Sequence, residues 1–175
     1  MANILIVYST TDGHTRNIGL RLKQVIEQQD HRVTLISIAD RDNIAMEAFD
    51  KIVIGASIRY GKHGKRVNDL IMRNKHILES KPSAFFSVNL VARKPEKSQP
   101  ETNPYLRKFL TQISWQPKVL AVFAGKIDYQ KYRFWERQII RLIMLVTKGP
   151  INPKTAIDFT NWNQVEAFGK RVSDM

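Results

Sequence analysis

Apolar and polar residues follow two rhythms that alternate from one end of the chain to the other. Residues 3–8 (Asn-Ile-Leu-Ile-Val-Tyr) form a short continuous apolar run, the pattern of a strand buried on both faces. A Ser/Thr/Asp/Gly turn follows, after which Ile18, Leu22, Val25 and Ile26 recur at helical spacing. Residues 32–38 predict a second strand, with Val33, Leu35 and Ser37 on one face, and residues 51–56 a third. Residues 67–78 predict one helix with Leu70, Ile71, Asn74 and Leu78 along one side. Beyond Pro82, residues 84–88 predict a fourth strand, and Leu106, Phe109, Leu110 and Ile113 mark another helix. Residues 119–124 predict a fifth strand, and Val165, Phe168 and Val172 a closing helix that starts near Asn161.

Five strands separated by helices, with right-handed crossovers, predict an α/β fold: a doubly wound five-stranded parallel sheet with helices on both faces. Two stretches lie outside this plan, the Lys- and Pro-rich loop 92–104 and an insertion at about 126–153, between the fifth strand and the closing helix. The 175 residues and an apolar fraction of 43% suit one domain, 1–175, with a substantial core. The chain has no cysteine, which excludes disulfides, thiolate metal sites, Fe–S clusters and Cys nucleophiles. His14, His31, His63 and His76 lack ligand spacing, so no metal site is expected, and His63 is expected to be a solvated loop residue. No basic, cleavable leader pattern opens the sequence, and no apolar run approaches the ~20 residues of a spanning helix; both point to the cytoplasm.

Charge changes the picture. The net charge is +12, and residues 81–154 hold 14 Lys/Arg against 4 Asp/Glu. Such a field favours an anionic partner: nucleic acid, acidic protein, anionic lipid or a carboxylated substrate. No nucleic-acid motif accompanies it, so nucleic acid is not expected.

In open α/β sheets, ligands bind outside the carboxyl ends of the strands. The first such loop is Ser9-Thr10-Thr11-Asp12-Gly13-His14-Thr15, whose hydroxyls, glycine and helix-start N–H groups could cradle a phosphate. The same residues would also serve as an ordinary helix start, with Asp12 capping the N–H of His14 or Thr15. Neither G-x-G-x-x-G nor a Gly-Lys-Ser/Thr ending is present, which disfavours a dinucleotide or a nucleoside triphosphate.

Ser9-x-x-x-Gly13-x-Thr15 after a first strand resembles the phosphate loop of the flavodoxin family, which binds FMN without a cationic side chain. The resemblance implies FMN as cofactor, held by Ser9, Thr10, Thr11, Asp12, Gly13, His14 and Thr15. Where that family has Thr this chain has Asp12, so Asp12 is expected to turn away from the phosphate as the helix cap. The next two strand ends, with Ser57, Ile58, Arg59 and Tyr60, and with Ser87, Val88, Asn89, Leu90, Val91 and Ala92, would then flank the isoalloxazine, Tyr60 stacking on it.

A closer similarity spans essentially the whole chain. Ile54-Gly55-Ala56-Ser57-Ile58-Arg59-Tyr60-Gly61, the stretch from Ser83 to Lys97, Arg107-Lys108-Phe109-Leu110 and Leu142-Ile143-Met144 resemble the menaquinone-dependent protoporphyrinogen IX dehydrogenases of bacterial haem biosynthesis. That implies an oxidoreductase converting protoporphyrinogen IX to protoporphyrin IX in three two-electron steps. Menaquinone, or ubiquinone in its place, would be the acceptor, at the cytoplasmic face of the bacterial inner membrane. FMN would carry the chemistry, with no catalytic side chain required. Arg59, Arg93 and Lys94 are then candidates for the substrate's propionates, which an arginine fork suits. In the insertion, Arg133, Arg137, Arg141 and Lys148 fall on one side of a helix, with Trp135, Ile139, Leu142, Leu145 and Val146 on a broad opposite arc. Arg133, Trp135, Arg137 and Arg141 are expected to meet an anionic membrane surface, although a helix packed on the domain fits the residues alone equally well. The alternatives within the fold are a flavodoxin-type electron carrier and an FMN-dependent NAD(P)H:quinone reductase.

Overall fold

The computed structural model describes residues 1–41, 43–154 and 156–175. The elements run β1 (Asn3–Ser9), α1 (His14–Glu27), β2 (Arg32–Ser37), β3 (Lys51–Arg59), β4 (Lys62–His63), α2 (Lys65–Arg73), α3 (Lys75–Ser80) and β5 (Ser83–Asn89). They continue with α4 (Pro104–Gln112), β6 (Val119–Ala124), β7 (Lys126–Asp128), α5 (Phe134–Val146), β8 (Ala156–Asp158) and α6 (Trp162–Ser173). The main sheet has the order β2-β1-β3-β5-β6, all parallel, with β4 turned back antiparallel on the end of β3. Counting the parallel strands alone, the order is 2-1-3-4-5, that of the flavodoxin-like doubly wound sheets.

Alternation along the strands sorts residues to two cores. Leu5, Val7, Ile52, Ile54 and Phe85 pack under Val67, Leu70 and Ile71 of α2, Leu78 of α3 and Phe109 of α4. Ile4, Ile6, Val53, Ala84 and Phe86 face Ile18, Leu22 and Ile26 of α1 and Val165, Phe168 and Val172 of α6. The segment after β6 has a small core of its own: Ile127, Tyr129, Tyr132 and Met144.

Three local features differ from the expectation. The single helix over 67–78 is two helices, because Asn74 (φ −109°, ψ 15°) leaves helical geometry and its Nδ2 donates to the Leu70 carbonyl at 2.9 Å. Short amides compete in this way for backbone groups that a helix needs. β3 runs on to Arg59 and folds back through Tyr60 and Gly61, both at positive φ (50° and 78°), as a two-residue type I′ hairpin requires. The insertion is closed by a ribbon, Lys126 opposite Asp158 and Asp128 opposite Ala156.

Gly55 lies where β3 crosses the Phe86 side chain; a Cβ there would fall inside that buried ring. Gly55→Ala is expected to lower the urea midpoint at unchanged m-value, equivalent to about 1–3 kcal/mol.

Candidate functional site

The loops after β1, β3, β5 and β6 enclose one cavity at the carboxyl edge of the sheet, and α5 closes it. β1 and β3 are the pair where the strand order reverses, the place where such sheets bind ligands. Thr10, Thr11, Asp12, His14 and Thr15 line the first side, and Ser57, Ile58, Arg59 and Tyr60 the second. Val88, Asn89, Leu90, Val91 and Arg93 follow from β5. Gly125, Lys126 and Asp128 after β6, with Tyr105, Lys131, Tyr132, Glu136, Ile139, Ile140, Ile143 and Met144, complete the wall and were not anticipated. The rule that selected the first three loops, proximity to a strand's carboxyl end, also selects Gly125.

In the first loop, Gly13 sits at φ 84°, and its N–H donates to Thr10 Oγ1 at 3.0 Å. Ser9 ends β1, half-buried, outside the cavity lining. Asp12 does not cap α1, which has no side-chain cap, so the N–H groups of its first turn stay open. The helix enters through left-handed Gly13, and this directs the Asp12 carboxylate to Arg59 Nη1, 3.8 Å away. Burial pushes the Asp12 carboxyl above its ordinary range, with Arg59 acting in the opposite sense.

His14 and Thr15 are both buried, and His14 Nδ1 and Thr15 Oγ1 have no partner among the described residues. The tautomer of His14 follows from its neighbours. Its Nε2 lies 2.6 Å from Thr160 Oγ1, and that hydroxyl spends its own proton on the Ala124 carbonyl at 2.9 Å. Nε2–H is therefore the donor, and Nδ1 is left with a free lone pair. Burial lowers the His14 pKa, with Asp158, 3.6 Å away, acting against it.

At the second loop, Arg59 Nη2 donates to Glu136 of α5, and Tyr60, largely exposed at the hairpin tip, donates from its hydroxyl to the same carboxylate at 3.3 Å. The hydrogen bond from Arg59 holds the Glu136 carboxyl below its usual range. Tyr132, buried beside them, has its phenol pushed up to about 12 by burial, with Asp12 acting in the same sense.

The third loop is a scaffold beneath the cavity. Asn89 Oδ1 accepts from Ala92 N–H and Asn103 Nδ2, both at 3.1 Å, while Asn89 Nδ2 donates to Ser87 Oγ and Asn103 Oδ1. Its amide is thus fully engaged within the protein. Ser87 and Ala92 are buried and do not line the cavity. His63, expected in solvent, is 6% exposed: β4 tucks it against Phe85 and Phe109, with Nε2 3.0 Å from Ser87 Oγ.

Arg93 lines the cavity but donates to the Leu90 carbonyl at 2.9 Å and to Thr147 at the end of α5. Lys94 leads into the short turn after it, outside the lining. The basic side of α5 is divided: its two middle arginines turn back onto the protein's own backbone, while Arg133 and Lys148 stay exposed. Arg137 Nε donates to the Tyr129 carbonyl at 3.0 Å and Arg141 Nε to that of Ile151 at 3.1 Å, while Arg133 is exposed at the helix start. What faces outward is the apolar arc: Trp135 and Val146 are each 76% exposed, and Leu142 62%.

A flavodoxin-domain family profile matches residues 5–154, and the chain belongs to that family. Within it, the chain is 39% identical over 171 residues to the protoporphyrinogen IX dehydrogenase (quinone) of Escherichia coli strain K12, covering 98% of this chain and 94% of that one. It is 40% identical over 165 residues to the enzyme of the same name from Leishmania major, covering 94% of this chain and 71% of that one. The solved flavodoxin of Megasphaera elsdenii superposes with a TM-score of 0.58 at 9% identity, covering 98% and 99% of the two chains. An archaeal flavodoxin gives 0.52 at 12%, covering 98% and 96%. At these identities the structural matches establish the fold.

Buried His63 sets a pH dependence for stability. Its pKa falls to about 4 through burial, whereas an unfolded histidine titrates near 6.5. The unfolded chain therefore binds the proton first as pH drops. Stability is intact above about pH 6.5 and declines by about 3 kcal/mol down to pH 4. His63→Phe is expected to flatten that decline, read as urea midpoints at pH 7 and pH 4.

Proposed function

We propose that this chain is an FMN-dependent dehydrogenase that oxidises protoporphyrinogen IX and passes the electrons to a quinone, menaquinone foremost. One observation supports this reading most directly. A single cavity has an uncapped, hydroxyl-bearing loop at one end and, across the sheet edge, an apolar wall from α5 with Arg59 at its rim. The residues present fit FMN. The open N–H groups of α1, the unpartnered hydroxyl of Thr15 and the adjoining hydroxyls of Thr10 and Thr11 form the type of cradle that receives a phosphate monoester. No cationic side chain stands in that loop, as the flavodoxin resemblance implies.

When bound, FMN supplies reversible two-electron chemistry between an organic donor and a quinone. Six electrons and six protons leave the porphyrinogen in three rounds, and three quinones become quinols. The chain's own residues position and shield. Ser57, Ile58 and Tyr60 on one side, with Val88, Leu90 and Val91 on the other, bound the slot at the sheet edge. Ile139, Ile140, Ile143 and Met144 form an apolar cover that limits water. Arg59 offers its guanidinium to a propionate, while Arg93 is tied to Leu90 and Thr147 and so supports the wall.

The outer face of α5 supports docking on an anionic membrane surface, where a quinone resides. Phe134, Trp135, Leu142, Leu145 and Val146 are exposed there, flanked by exposed Arg133 and Lys148. No helix among the described residues is long and apolar enough to cross a membrane. Each flanking cation near such a surface contributes about 1 kcal/mol, and the apolar side chains add partial burial.

Two measurements test this. Anaerobic mixing of FMN-loaded protein with protoporphyrinogen IX is expected to bleach the flavin, added quinone to restore it, and NADPH to do little; rapid bleaching by NADPH alone would favour a quinone reductase. The pair Leu142→Glu and Val146→Glu is expected to move the protein from anionic vesicles to the supernatant with FMN retained, whereas unchanged sedimentation would place the membrane contact elsewhere.

A further inference from the structure

The two ends of α5 are held over the cavity by different means. Near its C-terminal end Met144 is fully buried, and Arg93 Nη2 donates to the carbonyl and hydroxyl of Thr147 at 3.1 and 2.8 Å. Met144 is also the sole buried residue of the helix. At the N-terminal end the tie to the sheet is polar. Glu136 accepts from Arg59 and from Tyr60, joining the first turn of α5 to the hairpin after β3. An element with one buried side chain and a few half-buried polar bonds belongs to the low-stability end of a structure.

Glu136 is itself a carboxylate seated on the guanidinium that faces the cavity. Asp12 stands 3.8 Å from the other terminal nitrogen of Arg59, an ion pair without a hydrogen bond, so Glu136 is the carboxylate that occupies the fork. An incoming carboxylate that takes both terminal nitrogens in a bidentate manner displaces the Glu136 contact at Nη2 and comes up beside Asp12. Asp12 belongs to the loop packed on the sheet, whereas Glu136 belongs to a helix whose other tie at that end, Arg137 Nε to the Tyr129 carbonyl at 3.0 Å, holds it to the insertion and not to the sheet. Glu136 is the one that can move.

We propose that Glu136 is a positioning residue acting as a displaceable internal ligand of Arg59. It keeps α5 closed in the ligand-free protein, and a substrate carboxylate takes Arg59 by exchange, which releases the first turn of α5 and opens the cavity to a large planar molecule. This rests on the reading of Arg59 as a carboxylate site given under Proposed function. No bond is made or broken; one ion pair replaces another.

The test uses the full, FMN-loaded chain and Glu136→Gln. Glutamine keeps an oxygen for the Arg133 N–H, which Glu136 accepts at 3.3 Å, and so preserves the helix start while losing the charge that holds Arg59. Amide hydrogen exchange over residues 134–138 is expected to be about fivefold faster in the variant, the scale of one half-exposed ion pair, with protection in the sheet unchanged. Protoporphyrin IX, a stable dicarboxylate, is expected to produce the same acceleration in the wild type and to bind the variant severalfold more tightly. Wild-type exchange rates in Glu136→Gln would overturn the latch. Equal affinity of the two forms for protoporphyrin IX would overturn the exchange and leave the substrate reading standing. If neither form binds the porphyrin, the substrate reading fails and the exchange falls with it.

Discussion

Everything in this molecule depends on a sheet whose middle strands are buried on both faces. β1 pairs with β2 and β3 in a register that sets Ile6 beside Leu35 and Val53, and Val7 beside Ile36 and Ile54. Ile6 feeds one core and Val7 the other, so slipping β1 by one residue would exchange its entire contribution to each. Both faces are close-packed, so that exchange would trade fitted side chains for voids and overpacking, each costing about 1–3 kcal/mol. The fixed register makes β1, β3, β5 and β6 end along one edge. Their loops converge there, and residues far apart in sequence meet with little freedom to drift.

The strands were legible because a strand buried on both faces shows itself as an unbroken apolar run, as residues 3–8 do. The first loop was legible as a composition, hydroxyls and a glycine between a strand and a helix, but the direction of Asp12 was not. Its partner, Arg59, lies on another strand, and no local pattern links them. β4 escaped notice because two residues carry no periodicity, and with it went the burial of His63. The break at Asn74 was hidden for a related reason: Leu70, Ile71 and Leu78 all pack into one core across it, so the apolar spacing looks continuous.

The inserted helix shows where periodicity runs out altogether. Apolar residues stand on most of its sides, and the pattern cannot say which of them faces the protein. The structure chooses Met144, with Ile140 partly buried beside it. Two of the arginines that look like a solvated face turn instead to backbone, Arg137 to the Tyr129 carbonyl at the start of a short 3-10 turn and Arg141 to that of Ile151 in irregular chain. A long planar guanidinium reaches such groups while its stem covers apolar surface.

The ribbon formed by β7 and β8 has a consequence for how such a protein can change over time. It brings the two ends of the inserted segment together, and the Phe159 N–H bonds the Gly125 carbonyl directly below it. The excursion therefore leaves and rejoins the scaffold at a single point, like a graft on a stem. Closing a longer or shorter loop at that stem changes the chain entropy only slowly with length. The half of the cavity made by the sheet can stay constant while the half made by the graft is rewritten, so a cofactor pocket and the surface that selects its clients are free to evolve at different rates.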